Sequence, residues 1–318
     1  MSLIERAVEK LDLDRPLTFA PPRVAASAPR SRADQLVEDA IERLKLEDEL
    51  WSGEASSISV EEERAVEPPP EPSAKPVKHS RKVEIDLEWL RARGMITPEA
   101  SKTALAEEFR MIKRPLIRNA FGQGTAPVKN GNLIMVTSAF PREGKTFCAV
   151  NLAMSIAMEM DHTVLLVDAD VARPCVPQQL GLSFDAGMMD VLVDPSVEMA
   201  DVMVRTNIEK LSILPAGRTH AHSTELLASE AMSVLLNQLS TRYPDRIVIF
   251  DSPPLLLTTE ARTLAAKMGQ IVMVVAAETT TYTGVQEALS AIESCEVVGL
   301  VLNKAKYSQS GEYGYYGY

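Results

Sequence analysis

From about residue 83 onward the chain alternates short apolar runs with longer stretches in which apolar positions recur every three or four residues. Leu133–Thr137, Val164–Asp168, Leu211–Leu214, Ile247–Asp251, Ile271–Ala276 and Val297–Leu302 are almost continuously apolar, as strands covered on both faces must be. Helical periodicity covers Val83–Gly94 and Pro98–Ala120 ahead of them. Between them it covers Lys145–Met160, Ser223–Leu239, Glu260–Lys267 and Thr283–Ser294. Strands alternating with helices predict an α/β fold, a mainly parallel sheet with helices on both faces.

The stretch before residue 83 has a different texture. Pro16, Pro21, Pro22 and Pro29 are followed by Pro68-Pro69-Pro70, Pro72 and Pro76, with the acidic patch Glu61-Glu62-Glu63 between. Such composition buries no core and predicts a mobile, partly extended segment. Two short helices punctuate it in this reading. One is Ser2–Leu11, opened by a Ser2/Glu5 capping box; the other spans Ala33–Leu46, with Leu36, Val37, Ile41 and Leu44 on one face. Three parts are expected: a Pro-rich extension over 1–82, a folded domain over 83–306, and a tail over 307–318.

Composition narrows the class. A net charge of −11 argues against a nucleic-acid partner, which requires a positive face. Cys148, Cys175 and Cys295 stand apart, without disulfide or zinc spacing, which suits a reducing compartment. The N-terminus is too charged for a signal peptide, and no run has the length of a membrane span. The expectation is a soluble cytoplasmic protein that reaches the inner face of the membrane through a partner.

The chemistry begins at Ala139-Phe-Pro-Arg142-Glu143-Gly144-Lys145-Thr146, which fits the phosphate-binding loop pattern of P-loop NTPases. It follows a predicted strand and opens a predicted helix, the context in which backbone N–H groups cradle phosphate. Ser138, Ala139, Arg142, Glu143, Gly144, Lys145, Thr146 and Phe147 are the expected nucleotide contacts. Lys145 neutralises the β- and γ-phosphates, and Thr146 offers its hydroxyl to Mg2+. The strand ending Val164-Leu-Leu-Val-Asp168-Ala-Asp170 delivers two carboxylates to the edge where ligands bind in open α/β sheets. Alternation along the strand is expected to put both on one side. Arg246-Ile-Val-Ile-Phe-Asp251 reads as a second metal-holding strand, with Asp251 on Mg2+. The strand ending at Asn303-Lys304 offers Asn303 to the adenine edge, or is a plain turn.

Tyrosine is distributed unevenly. Five of the seven, Tyr307, Tyr313, Tyr315, Tyr316 and Tyr318, fall in the last twelve residues, spaced by Gly and Ser. Core packing does not explain such a cluster, but a set of phosphoryl acceptors does.

Together these elements resemble the bacterial tyrosine kinases (BY-kinases), P-loop enzymes unrelated to eukaryotic protein kinases. The resemblance spans Lys102–Tyr318 and rests on Thr137–Thr146, Leu165–Pro174, Ile249–Pro254 and the tail. It implies Mg·ATP-dependent autophosphorylation of the tail in trans. Lys145, Asp168 and Asp170 would be the catalytic residues, Asp168 orienting or deprotonating the tyrosine hydroxyl. Thr146, Asp170 and Asp251 would hold the metal. The helix Glu107-x-x-Arg110-x-x-Lys113 is similar to the family's Glu-x-x-Arg-x-x-Arg segment, which implies a ring-like homo-oligomer in which each site receives a neighbour's tail. The overall form is similar to soluble autokinases that accompany exosortase and exopolysaccharide loci. That likeness implies regulation of exopolysaccharide synthesis or export and a transmembrane partner, a Wzz-type polysaccharide chain-length determinant. One position departs from the family's usual Pro-Gly-Glu-Gly-Lys: Arg142 replaces the first Gly. The expectation is that this position tolerates a side chain and adds charge near phosphate; a positive φ there would cost about 1 kcal/mol. Two rival readings share the motifs. A ParA/MinD-like ATPase switch would carry an additional Lys early in the loop, where Ala139 and Phe140 stand, and would lack the tyrosine cluster. A non-catalytic scaffold would not need Lys145, Asp168, Asp170 and Asp251 intact.

Overall fold

The computed structural model describes residues 81–100 and 102–306. The two N-terminal helices expected from the sequence and the tyrosine cluster lie outside these residues. The chain forms α1 (Leu87–Ala92), a 3-10 turn (Pro98–Ala100), α2 (Ala104–Ala120), β1 (Leu133–Ser138), α3 (Lys145–Ala157) and β2 (Thr163–Asp168). There follow α4 (Val176–Gln179), α5 (Met188–Val193), α6 (Met199–Val202), β3 (Val204–Arg205), β4 (Leu211–Leu214), α7 (Ser223–Ala228) and α8 (Glu230–Thr241). The chain closes with β5 (Arg246–Asp251), α9 (Thr259–Ala265), β6 (Gln270–Ala276), α10 (Tyr282–Ser290) and β7 (Val298–Asn303).

The strands make one seven-stranded sheet in the order β3-β4-β2-β5-β1-β6-β7. Every pairing is parallel except the short β3 on β4. The six-residue β1 is buried along its whole length, because helices cover both faces. Alternate side chains enter two cores: Leu133 and Met135 join one with Phe250 and Met273, while Ile134 and Val136 join the other with Ile249 and α3. Fully burying side chains of this size contributes roughly 1.5–3 kcal/mol each, which makes the sheet the rigid frame for its loops. The α3 helix faces sheet, α1 and α2 at once and is buried over nearly its whole length.

Three departures from the sequence reading concern helices. The expected Pro98–Ala120 helix divides into the 3-10 turn and α2, which Thr103 caps by accepting from Ala106 N–H. The single helix expected over Ser223–Leu239 is broken at Ser229, whose extended backbone (φ −69, ψ 166) and side chain cap α8 through Met232 N–H. The first expected helix, Val83–Gly94, shortens to Leu87–Ala92 because Asp86 caps it. Ahead of it, Arg81–Val83 runs alongside Arg205 in β3. Among the described residues no helix is long and apolar enough to cross a membrane.

Candidate nucleotide site

Strand register assembles the site. In adjacent strands Val136 pairs with Asp251, and Asp251 with Asp168, so the C-terminal ends of β1, β2 and β5 finish side by side. The loop after β1, the turn after β2 and the end of β5 therefore meet at one edge, the expected ligand position for such a sheet. A cavity of about 650 Å³ opens there, lined by Arg142, Gly144, Lys145, Thr146, Phe147 and Asp170, with Arg173, Cys175, Pro254 and Leu257 around its rim.

The loop wraps into the start of α3. Gly144 takes φ 97, a left-handed conformation that favours glycine, and a β-carbon there would come 2.0 Å from Asn303 Nδ2. Arg142 also has positive φ (67), so the position is one of strain, costing about 1 kcal/mol, and not one that simply accepts a side chain. Arg142 is among the residues lining the cavity. Ser138 and Ala139 support the loop from below: Ser138 Oγ donates to Phe140 O at 2.7 Å, and Leu255 and Leu256 N–H donate to their carbonyls. Glu143 is buried and works as an internal staple, its carboxylate accepting from Phe140 N–H (2.8 Å) and from the Thr280 hydroxyl.

Lys145 Nζ donates to Asp170 Oδ2 at 2.9 Å and lies 4.0 Å from Asp251 Oδ1. Burial alone would lower its pKa, but the Asp251 and Asp170 charges outweigh burial and hold it above the ordinary lysine value. Asp251 is fully buried, and burial pushes its carboxyl up to about 6 against the pull of Lys145. Neither of its oxygens has a hydrogen bond of normal geometry, although the Thr146 hydroxyl lies alongside.

The two carboxylates after β2 part ways. Asp168 ends the strand, and its oxygens accept from Asp170 N–H (3.3 Å) and Val176 N–H (3.0 Å). It is wholly buried, and burial together with the Asp251 charge pushes its carboxyl up to about 8. Asp170 lies beyond the strand, on the cavity wall. β2 stops at Asp168, yet the turn, held by the Asp170 N–H bond to Asp168, keeps both carboxylates within reach of the Asp251 charge.

Two further expectations are corrected. Asn303, assigned to the adenine edge, does not line the cavity; its Nδ2 donates to Glu143 O at 2.9 Å, behind the loop. Lys113 is 4% exposed; its Nζ donates to Ser155 O at 2.5 Å and pairs with Glu159 at the end of α3. Glu107 and Arg110 pair with each other on the outer side of α2. Arg173, Cys175, Pro254 and Leu257 carry no motif of their own, although Arg173 and Pro254 sit inside the matched segments.

The site suits an Mg·nucleotide. An orphaned buried carboxylate invites a cation, and a loop of backbone donors with a buried lysine invites phosphate. No three carboxylate, imidazole or thiolate groups converge as a metal cage among the described residues. Mg2+ typically takes one or two carboxylates plus substrate phosphates, so this is the arrangement it needs.

Comparison with known proteins agrees. The AAA domain family matches residues 140–303. The tyrosine-protein kinase YwqD of Bacillus subtilis (strain 168) is 31% identical over 227 residues, covering 71% of this chain and 92% of its own. The tyrosine-protein kinase wzc of Salmonella typhimurium is 32% identical over 191 residues, which are 59% of this chain and 26% of that protein. The crystal structure of the chimerical protein CapA2B2 superposes with a TM-score of 0.58 at 26% identity, covering 72% of this chain and 94% of that one. With the loop, the paired strand-end carboxylates and the sheet order already in place, this breadth of match settles the family: the chain is a P-loop, ATP-binding enzyme and belongs to the bacterial tyrosine-protein kinases.

Proposed function

We propose that this kinase transfers the γ-phosphoryl of Mg·ATP to the tyrosines of its own C-terminal cluster, Tyr307, Tyr313, Tyr315, Tyr316 and Tyr318, acting in trans. The single observation that carries the reading is Asp251, a buried carboxylate without a hydrogen bond of normal geometry, 4.0 Å from Lys145 Nζ at the foot of a phosphate loop. Bound Mg·ATP supplies the transferable phosphoryl group and the charge that this pocket neutralises.

Lys145 and Asp170 now satisfy each other, and binding phosphates engages Lys145 and frees Asp170. Thr146, Asp170 and Asp251 would hold the metal. Asp168, which accepts from Asp170 N–H and so steadies the turn that carries Asp170, orients or deprotonates the incoming tyrosine hydroxyl. With little covalent work for protein groups, positioning and charge neutralisation supply most of the rate. Arg142 and Arg173 add positive charge at the rim.

Delivery of the tail in trans calls for a ring-like homo-oligomer, for which Glu107 and Arg110 supply the outward part of α2; Lys113 is taken up inside the domain. The family resemblance supports a role in exopolysaccharide synthesis or export, with recruitment to the membrane by a Wzz-type chain-length determinant. No observation favours the ParA/MinD-like switch.

Mixing tests the trans reaction. Chain lacking 307–318 is incubated with Mg·ATP and intact Lys145→Met chain as acceptor. Phosphotyrosine on the Lys145→Met tail is expected. An acceptor that stays unmodified while intact parent modifies itself would exclude transfer between chains.

A further inference from the structure

The end of β7 grips the phosphate loop from the side opposite the cavity. The cavity is walled by the loops after β2 and β5, on one side of β1; β7 lies on the other, beyond β6. From there Asn303 Nδ2 donates to Glu143 O at 2.9 Å, and Lys304 Nζ donates to Arg142 O at 2.5 Å. Both oxygens belong to consecutive peptide groups of the loop. A trans peptide is planar, its N–H pointing opposite to its C=O. Anchoring the Arg142 and Glu143 carbonyls toward β7 therefore turns the Glu143 and Gly144 N–H groups away from it, toward the cavity.

The loop has the form such a grip requires. Arg142 (φ 67) and Gly144 (φ 97) are both left-handed, with Glu143 between them. Successive N–H groups in turns of this kind form anion-binding concavities. An arginine does not hold positive φ by itself, so something must impose it. Lys304 is itself left-handed at φ 60, which turns the chain at the strand end toward the loop. Asn303 Nδ2 stands in the space a β-carbon on Gly144 would fill, so a side chain at position 144 would push the amide out of its place. The strand end is held in turn, since Ala277 N–H donates to Asn303 O at 2.8 Å and Lys306 pairs with Glu278 at 3.5 Å.

We propose that Asn303 and Lys304 are positioning residues of the nucleotide site: they hold the empty loop with its N–H groups facing the phosphates, and so set nucleotide affinity without touching the nucleotide. The proposal rests on the cavity being the nucleotide site.

The test uses the full chain with Asn303→Leu, which keeps the shape and removes the donor without adding charge, and Lys304→Met, which keeps the stem on an exposed residue. Hydrogen exchange across residues 139–147 is followed without nucleotide, and ADP affinity is measured with Mg2+. Loop exchange is expected to quicken in both variants. The ADP Kd should rise about five- to twentyfold for Asn303→Leu and less for Lys304→Met, as fits one lost hydrogen bond each. The KM for ATP should follow Kd, with kcat changed by no more than about twofold, because bound phosphates reimpose the loop shape. Wild-type exchange and wild-type Kd in both variants would overturn the proposal, as would a fall in kcat at unchanged Kd. Lys145→Met separates the underlying reading: if it binds ADP like the parent, the cavity is not the phosphate site and the positioning role falls with it.

Discussion

Asp251 shows how a single residue holds the tension between stability and chemistry. It lies at 0% exposure with no hydrogen bond of normal geometry, beside Asp168 and Asp170, balanced chiefly by Lys145 and the Thr146 hydroxyl. A buried, under-compensated charge destabilises the protein that carries it and persists where function requires it. Asp251→Asn is therefore expected to raise the melting temperature of nucleotide-free protein in EDTA by about 2–4 °C, the size of a 1 kcal/mol gain in a domain of this length. Phosphotransfer should fall about a hundredfold or more. A melting temperature that drops would show that Asp251 is already satisfied in the empty protein. The residues of this site were unequally legible from the sequence. The placement of Lys145, Thr146 and Asp251 beside one another was legible, because it follows from local strand–loop–helix order. Asn303 was not, because its partner Glu143 is remote in sequence and only the β6–β7 pairing brings them together. Lys113 had a visible signal: Ala106, Phe109, Lys113 and Leu116 fall on one helical stripe, all buried, which places its ammonium inward.

Among the elements, α5 depends on one carboxylate. Asp190 accepts from Gly187 N–H at 2.8 Å, Arg218 N–H at 3.2 Å and Arg218 Nε at 2.7 Å, tying the start of α5 to the chain after β4. Burial alone would raise its pKa, but the donors of Gly187 and Arg218 outweigh burial and hold it below the usual carboxylate range. A carboxyl depressed in the folded state contributes stability that is complete above its unfolded value, about 3.9, and is lost as pH falls through the folded value. Asp190→Asn should thus cost about 1–3 kcal/mol near pH 7, mostly through the buried donors, since the Arg218 side chain is 79% exposed. The gap between parent and variant in thermal melts should narrow below about pH 4. A gap of equal size at both pH values would mean that the charge contributes nothing. None of α4, α5 and α6 was legible from periodicity, because helices of four to six residues complete too few turns to show it. The Ser229 break was hidden for another reason, since apolar spacing continues across it and only the cap reveals the junction.

At the scale of the molecule, parallel order places three strand ends at one edge, so Lys145, Asp170 and Asp251 are held by buried central strands, while in the sequence the tyrosine cluster follows β7, the outermost strand. β7 is an edge strand whose Leu300 and Leu302 are 55% and 65% exposed, so its end gains definition from the loop it grips as well as from β6. All six parallel strands were legible from continuous apolar runs, which announce strands covered on both faces; β7 departs from that rule, because as an edge strand it leaves Leu300 and Leu302 exposed. β3, at two residues, was too short to register. The central claim is that one chain carries both the phosphoryl-transfer site and its acceptors. Peptide mass spectrometry after incubating the purified full chain with Mg·ATP, beside Lys145→Ala, tests it most directly. The account predicts phosphate on tyrosines between Tyr307 and Tyr318 in the parent and none in Lys145→Ala. Release of ADP by the parent with no phosphotyrosine on that tail would contradict it.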